Sequence, residues 1–269
     1  MWDFEHPPLS APLTLRYQID RMMPSECAAR LASGAASIGL VPIAALATTP
    51  GLRILPGCVI ASKCRVRSLV LVRRASQSLQ ALRSVAADTA SRTTLAHARI
   101  LFRHWGNPSV PFLPMAADLD TMLQQADAAI LIGDPALMAL EERANRFERT
   151  GEELVYHDFA HEWRTLTGLP FVSAVWGAVP ATASDGLSAE TVAHDFINSR
   201  IHGLQNIDAL VAEWSRRIPI PEQTIRAYLT TNIHYVLDDE CIEAMKLFFR
   251  MAADAAILPE YRFSVDALP

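Results

Sequence analysis

Three stretches of this chain carry side chains able to hold or transform a small acid. The densest is Asp88-Thr-Ala-Ser-Arg-Thr-Thr94, with hydroxyls at Ser91, Thr93 and Thr94 and a guanidinium at Arg92. It sits between a strand-like run and a helix-like run. A helix opening there presents free backbone N–H groups and a partial positive charge, which together hold a carboxylate or phosphate. Ser91 reads equally well as a plain helix N-cap that needs no ligand. The second stretch is Gly133-Asp-Pro-Ala136. Gly133 lets the backbone approach a ligand, and Asp134 can accept a hydrogen bond from a ligand hydroxyl. The same residues also read as an ordinary helix opening, Asp at the N-cap and Pro at the first helical position. The third is Arg65-Val-Arg-Ser68, two arginines and a serine between strand candidates. It supplies a local positive field for an acidic ligand, or is a solvated basic turn.

The remaining reactive residue types point to little. His157, His161, His194, His202 and His234 form no HExxH pattern. His157 and His161 are four apart, the spacing of a two-histidine metal face, but a polar loop or helix surface accounts for them better. Cys27, Cys58, Cys64 and Cys241 make no CxxC pair, so no metal site is expected. They read as small buried hydrophobes in a reducing compartment. GxSxG, P-loop and GxGxxG patterns are absent, which leaves serine hydrolases, NTPases and dinucleotide enzymes without support.

Strands and helices alternate around these stretches. Helix signals run from Pro24 to Leu31, with Gly34 as a stop. Ser37–Val41, ended by Pro42, reads as a buried strand, and so do Cys58–Ala61, Ser68–Val72 and Val85–Asp88. From Ser91 to Trp105 the residues Leu95, Ala98, Leu101, Phe102 and Trp105 form one apolar helical stripe. A strand from Val110 to Phe112, a helix after Asp118, the strand Ala128–Ile132 and a helix from Gly133 to about Phe147 follow. Phe171–Val179 is again a strand. Helices are expected from Thr191 to Trp214, Pro221 to Leu229 and Asp238 to Ala256. Short strands alternating with helices predict parallel-rich mixed sheets with helices on both faces. Ligands of open α/β sheets bind beyond the carboxyl ends of strands, where the three stretches fall.

Composition agrees with a folded small-molecule protein. Of 269 residues, 51% are apolar and 20% charged, so disorder is not expected. The formal charge of −5 and the lack of a basic stripe argue against nucleic acid. No run approaches the roughly 20 apolar residues of a membrane helix. The start MWDFEHPPLS lacks the basic and apolar regions of an export signal, so a cytoplasmic setting is expected.

Six stretches in order across nearly the whole chain resemble the chorismate dehydratases of the futalosine route to menaquinone. They are MPSECAARLASGAASIGLVPIAAL (23–46), CRVRSLVLV (64–72), VAADTASRTT (85–94), ADAAILIGDPAL (126–137), HEWRTLTGLPFVSAVWGA (161–178) and IRAYLTTNIHYVLDDECIEAMKLFFRMA (225–252). The resemblance implies a two-lobed α/β fold of the periplasmic-binding-protein (type II) kind with a ligand cleft between lobes. Residues 1–72 and 176–269 would form the first lobe and 73–175 the second, with crossings near Val72 and Val175. It implies elimination of water from chorismate to give 3-[(1-carboxyvinyl)oxy]benzoate, without metal or organic cofactor, by a monomer or homodimer. Ser91, Arg92 and Thr93 would hold a substrate carboxylate, Ser68 would line the cleft near the hinge, and Gly133 and Asp134 would approach the ring and its leaving hydroxyl. Val41 and Pro42 would form part of the wall. Asp134 is the candidate catalytic carboxylate, unless the substrate's own enolpyruvyl carboxylate takes the proton. Members of this family open with a strand ending in a Leu-Asn loop. The present sequence begins with what resembles the segment after it, so a first strand is expected to be missing through a late start. Two other readings stay open: a non-catalytic binding protein for small carboxylates on the same fold, and the sister naphthoate synthase of the same route. TGLPFVSAVWGA resembles the dehydratase more.

Overall fold

The computed structural model describes residues 1–6, 8–87, 92–179, 188–263 and 265. Two short helices, α1 (Trp2–Glu5) and α2 (Ser10–Thr14), precede α3 (Pro24–Ala32). Three strands, β1 (Ile38–Pro42), β2 (Arg53–Ser62) and β8 (Phe171–Ala178), make one sheet in the order β1-β8-β2, with both pairings antiparallel. The other sheet holds β3 (Leu69–Arg74), β4 (Val85–Ala87), β5 (Phe112–Pro114), β6 (Ala128–Ile132) and β7 (Leu154–Asp158) in the order β5-β4-β6-β3-β7. Here β4 runs parallel to β5 and β6, while β3 runs antiparallel to β6 and β7.

The sheets are therefore mixed, as expected, but parallel pairing is confined to β4 and its two neighbours. The expectation of parallel-rich sheets came from counting strand–helix alternations. Antiparallel entry of β3 and β8 from the opposite sheet leaves no such mark in the sequence. The expected lobe boundaries at 72/73 and 175/176 fall inside β3 and β8, and each of these strands stays in one sheet throughout. The chain changes sheet between Ser62 and Leu69, and returns across α8 (Phe159–Thr167) to Phe171.

Strand periodicity sorts the core. Leu69, Leu71, Val85, Ala87, Ala128 and Ile130 face one side of the second sheet, and Val70, Val72, Ala86, Ala129 and Leu131 face the other. The first side joins α4 (Arg92–His104), α8 and α12 (Asp239–Asp254) in one core that also contains Val41, Phe171 and Val175 of the three-stranded sheet. The second side packs on α5 (Leu119–Gln125) and α6 (Asp134–Glu141), after which comes α7 (Arg143–Thr150). The remaining helices are α9 (Ala189–Gln205), α10 (Ile207–Trp214) and α11 (Glu222–Ala227), which runs into a π turn over Tyr228–Asn232. Asn206 ends α9 and opens α10, so the single helix expected to Trp214 is two. Likewise Glu142 divides the helix expected after Gly133. Among the described residues no helix is long and apolar enough to cross a membrane.

Candidate functional site

The carboxyl ends of β4 and β6 and the start of β3 lie at one end of the five-stranded sheet, and the turn after β1 is bonded to the opening of α4 there. β4 and β6 are parallel neighbours, so α4, which follows β4, and α6, which follows β6, open at the same end of the sheet. Leu69 lies opposite Ile132, which sets Ser68 beside Gly133, and the Gly133 N–H donates to the Ser68 carbonyl at 2.7 Å. Gly133 is the N-cap of α6 with φ 71° and ψ −141°, a conformation essentially reserved for glycine. Asp134 and Pro135 thus stand one position further into the helix than the sequence reading placed them, because only Gly133 can make the turn. No atom lies within 4 Å of where a Cβ would sit at Gly133. Gly133→Ala is therefore expected to lower folding stability by about 1–3 kcal/mol through backbone strain alone. Urea unfolding checks this, and an unchanged midpoint would contradict it.

A residue absent from the sequence reading completes this corner. Tyr228, first residue of the π turn, donates its hydroxyl to Ser68 Oγ at 3.0 Å. Burial pushes its phenol above the ordinary tyrosine value, and the charge of Asp134 adds to the rise. Tyr228 is thus held protonated, as a donor, beside an exposed carboxylate. Its position in a π turn was the available clue, since such turns gather at functional sites, but nothing in AYLTTN announces one.

Thr93 lies on the other side of the junction. Its side chain is 2% exposed and its Oγ1 accepts the Ala44 N–H at 2.9 Å. Ala44 belongs to the 3-10 turn Ile43–Ala47 that follows β1. The expected carboxylate-holding threonine therefore ties the opening of α4 to the three-stranded sheet. Arg92 opens α4; its side chain, and all of Ser91, lie outside the described residues. Val41 is fully buried in the main core, and Pro42 is half-buried at the strand end. Val41 consequently packs behind the site and presents no open wall.

The crossing between sheets is fastened by one carboxylate. Asp158, at the end of β7, accepts the N–H groups of Val66 (3.1 Å) and Arg67 (2.7 Å) from the crossing, and of Ala160 (3.0 Å) and His161 (3.1 Å) from α8. Arg67 has φ 61°, and its guanidinium pairs with Glu141 at 2.6 Å. Of the basic pair in the third stretch, Arg67 is thus spent on structure. Arg65 is exposed and lines a separate open pocket.

The histidines divide in the same way. His157 is on β7 and His161 on α8, so they share no helical face; His157 instead pairs with Glu162 at 3.0 Å. His234, Asp238 and Cys241 bring ligand-type atoms within 4.8 Å of one another. However, the Lys63 ammonium already sits 2.8 Å from Asp238 Oδ2, and Asp238 Oδ1 caps α12 through the Cys241 N–H. That cluster is a charged helix cap with its cation supplied by lysine.

A protein family described as menaquinone biosynthesis matches residues 3–254. Among solved structures, a protein of Archaeoglobus fulgidus is similar at TM-score 0.64 and 17% identity, over 90% of this chain and 87% of that one. The alkanesulfonate-binding protein of Xanthomonas axonopodis pv. citri, solved with MOPS, gives 0.61 and 15%, over 90% and 83%. The periplasmic aliphatic sulphonate binding protein of Escherichia coli gives 0.59 and 17%, over 90% and 82%. The fold is thus of the solute-binding-protein kind.

Proposed function

The chain belongs to the menaquinone biosynthesis family, and on that premise we propose that it is a chorismate dehydratase of that pathway, acting in the cytoplasm. The two sheets would form two lobes, with the substrate held where they join. The observation that carries the reading is the meeting of Ser68, Gly133, Asp134 and Tyr228 at the end of the sheet where α4 also opens. Three of the stretches that resemble the dehydratases supply residues to that one junction.

The chemistry asks for three things. A dianion must be held in one pose, a proton must leave one ring carbon, and hydroxide must leave its neighbour as water. The N-terminus of α4, with Ser91, Arg92 and the backbone N–H of Thr93, would take a carboxylate. Gly133 lets the ring approach the backbone. Tyr228, kept protonated, would turn its one O–H from Ser68 to the leaving hydroxyl, with Ser68 then free to donate to the phenol oxygen. The ring becomes aromatic as water departs, which drives the reaction forward. Two groups can take the proton, Asp134 and the substrate's own enolpyruvyl carboxylate, and Asp134→Asn separates them. A loss of about 10²-fold or more in kcat assigns the base to Asp134; turnover within a few-fold of the parent assigns it to the substrate.

Tyr228→Phe removes one donor aimed at developing charge and is expected to cost about 10²-fold in kcat/KM, with folding stability nearly unchanged. Following the appearance of the aromatic product by ultraviolet absorbance checks this, and full activity in Tyr228→Phe would remove Tyr228 from the mechanism. The likeness to sulfonate-binding proteins favours one second reading, a binder of small carboxylates without turnover. Saturable chorismate binding with no aromatic product would establish it.

A further inference from the structure

We propose a second anion site, distinct from the junction, that takes a phosphate-bearing small molecule. It is an open pocket of about 550 Å³ lined by Cys64, Arg65, His161, Arg164, Thr165 and Asn232. Three separate segments build it: the crossing between sheets, the exposed face of α8 and the last residue of the π turn. Among the described residues no carboxylate lines it.

Arg65 and His161 make no side-chain hydrogen bond among the described residues, and the other polar groups of the pocket are held in place by theirs. The Arg65 side chain makes no hydrogen bond or ion pair among the described residues, whereas Arg21, Arg67, Arg74 and Arg146 each pair with a carboxylate. Arg164 uses Nη1 on the Lys63 carbonyl at 2.9 Å, which fixes the guanidinium and leaves its other N–H groups available. The ring of His161 makes no hydrogen bond among the described residues. Asn232 Nδ2 donates to the Arg65 carbonyl at 2.9 Å, and Thr165 Oγ1 donates to the His161 carbonyl at 2.8 Å, so these two hold the frame. The nearby carboxylate, Glu162, is hydrogen-bonded by His157 at 3.0 Å and lies within electrostatic reach of His161 and Arg65, so a bound anion must compete with it for their field.

Arg65 lines the pocket from the crossing and Arg164 and His161 from α8, a set of donors on two sides that suits a tetrahedral oxyanion better than a flat carboxylate. The volume exceeds that of inorganic phosphate and leaves room for the body of an ester or a second phosphoryl group. The site shares two segments with the junction but none of its side chains. Ser68 and Tyr228 lie three and four residues from Arg65 and Asn232 along their segments.

Cys64 provides the readout. It is exposed at the pocket, whereas Cys58 and Cys241 are buried and Cys27 is half-buried, so it is the first thiol to react with an alkylating reagent, and Cys64→Ser identifies its signal. Inorganic pyrophosphate is expected to slow Cys64 alkylation saturably, while sodium chloride at matched ionic strength does not. Arg65→Gln, which breaks no side-chain bond, is expected to raise the half-protecting concentration roughly tenfold or more. Arg164→Gln should do the same. Unfolding midpoints equal to the parent's would show that each variant is folded. Absence of saturable protection, equal protection by chloride, or protection unaltered in both folded variants would each overturn the site. The readout is independent of turnover, so failure here leaves the proposed reaction untouched, and the reverse also holds.

Discussion

Asp158→Ala is expected to lose roughly 3 kcal/mol or more of folding stability, the largest single effect the structure implies. The carboxylate is 5% exposed and accepts four backbone N–H groups, two from the crossing and two from α8. Truncation leaves these donors without their acceptor in a place water reaches poorly, and it releases Arg67 from its left-handed turn. Asp158→Asn is the graded comparison. Its single amide oxygen can keep the three bonds now made to Oδ1, but its NH₂ would face the Arg67 N–H. A loss of about 1–2 kcal/mol is expected there. Urea unfolding of both variants measures the order Ala, then Asn, then parent. A loss under about 1 kcal/mol in Asp158→Ala would show that the crossing is held by other means.

Acid should destabilise the protein through His97. This residue lies in the core, its ring stacked on Phe248 at 4.3 Å and against Phe171 and Trp163 at 4.4 and 4.9 Å. Its Nδ1–H donates to the Thr93 carbonyl at 3.0 Å. Burial pushes its pKa down to about 3, while an unfolded chain titrates near the ordinary value of about 6.5. Between those values the unfolded state binds a proton that the folded state refuses. Stability is therefore full above about pH 6.5 and falls by about 1.4 kcal/mol per pH unit as acid is added, toward pH 3. His97→Phe places another ring in the same aromatic cage and removes the titration. Unfolding free energies of parent and variant between pH 6.5 and 4.5, above the range in which most carboxylates titrate, should diverge by that slope. Parallel curves would mean that His97 protonates in place. Asp238, held below the usual carboxylate range by Lys63 and the Cys241 N–H against the opposing effect of burial, adds its own loss at still lower pH in both proteins.

Much of this architecture was readable from residue order. The alternation in Ser37–Pro42, the apolar runs at Leu69–Val72 and Ala128–Ile132, and the Asp118 and Asp238 caps all mark elements that form where expected. β7 and α8 escaped notice because Leu-Val-Tyr-His-Asp alternates weakly and is half-buried, and its last residue serves strand and helix at once. The cap signals were present in Asp158 and Gly168, ten residues apart. The helix stripe from Ser91 understated α4, which also buries Thr93, Thr94, Ala96, His97 and Ile100, since a helix shared by two sheets is covered on most sides. A histidine in that position looks polar in sequence and becomes core only through Phe171, Trp163 and Phe248, each from a different element. For the proposed site, Ser68, Gly133 and Asp134 were legible as residues that follow or precede strands. Tyr228 could not, because its meeting with Ser68 depends on a contact 160 residues away along the chain. Thr93 was found but with a different partner, Ala44, whose proximity is likewise set by the packing of the two sheets.

The most direct measurement is incubation of the purified chain with chorismate alone, following product by ultraviolet absorbance and mass. Conversion to an aromatic acid lighter than chorismate by one water is expected, with Tyr228→Phe roughly 10²-fold slower. Chorismate that binds saturably yet is recovered unchanged would contradict the dehydratase and leave a carboxylate-binding protein in its place.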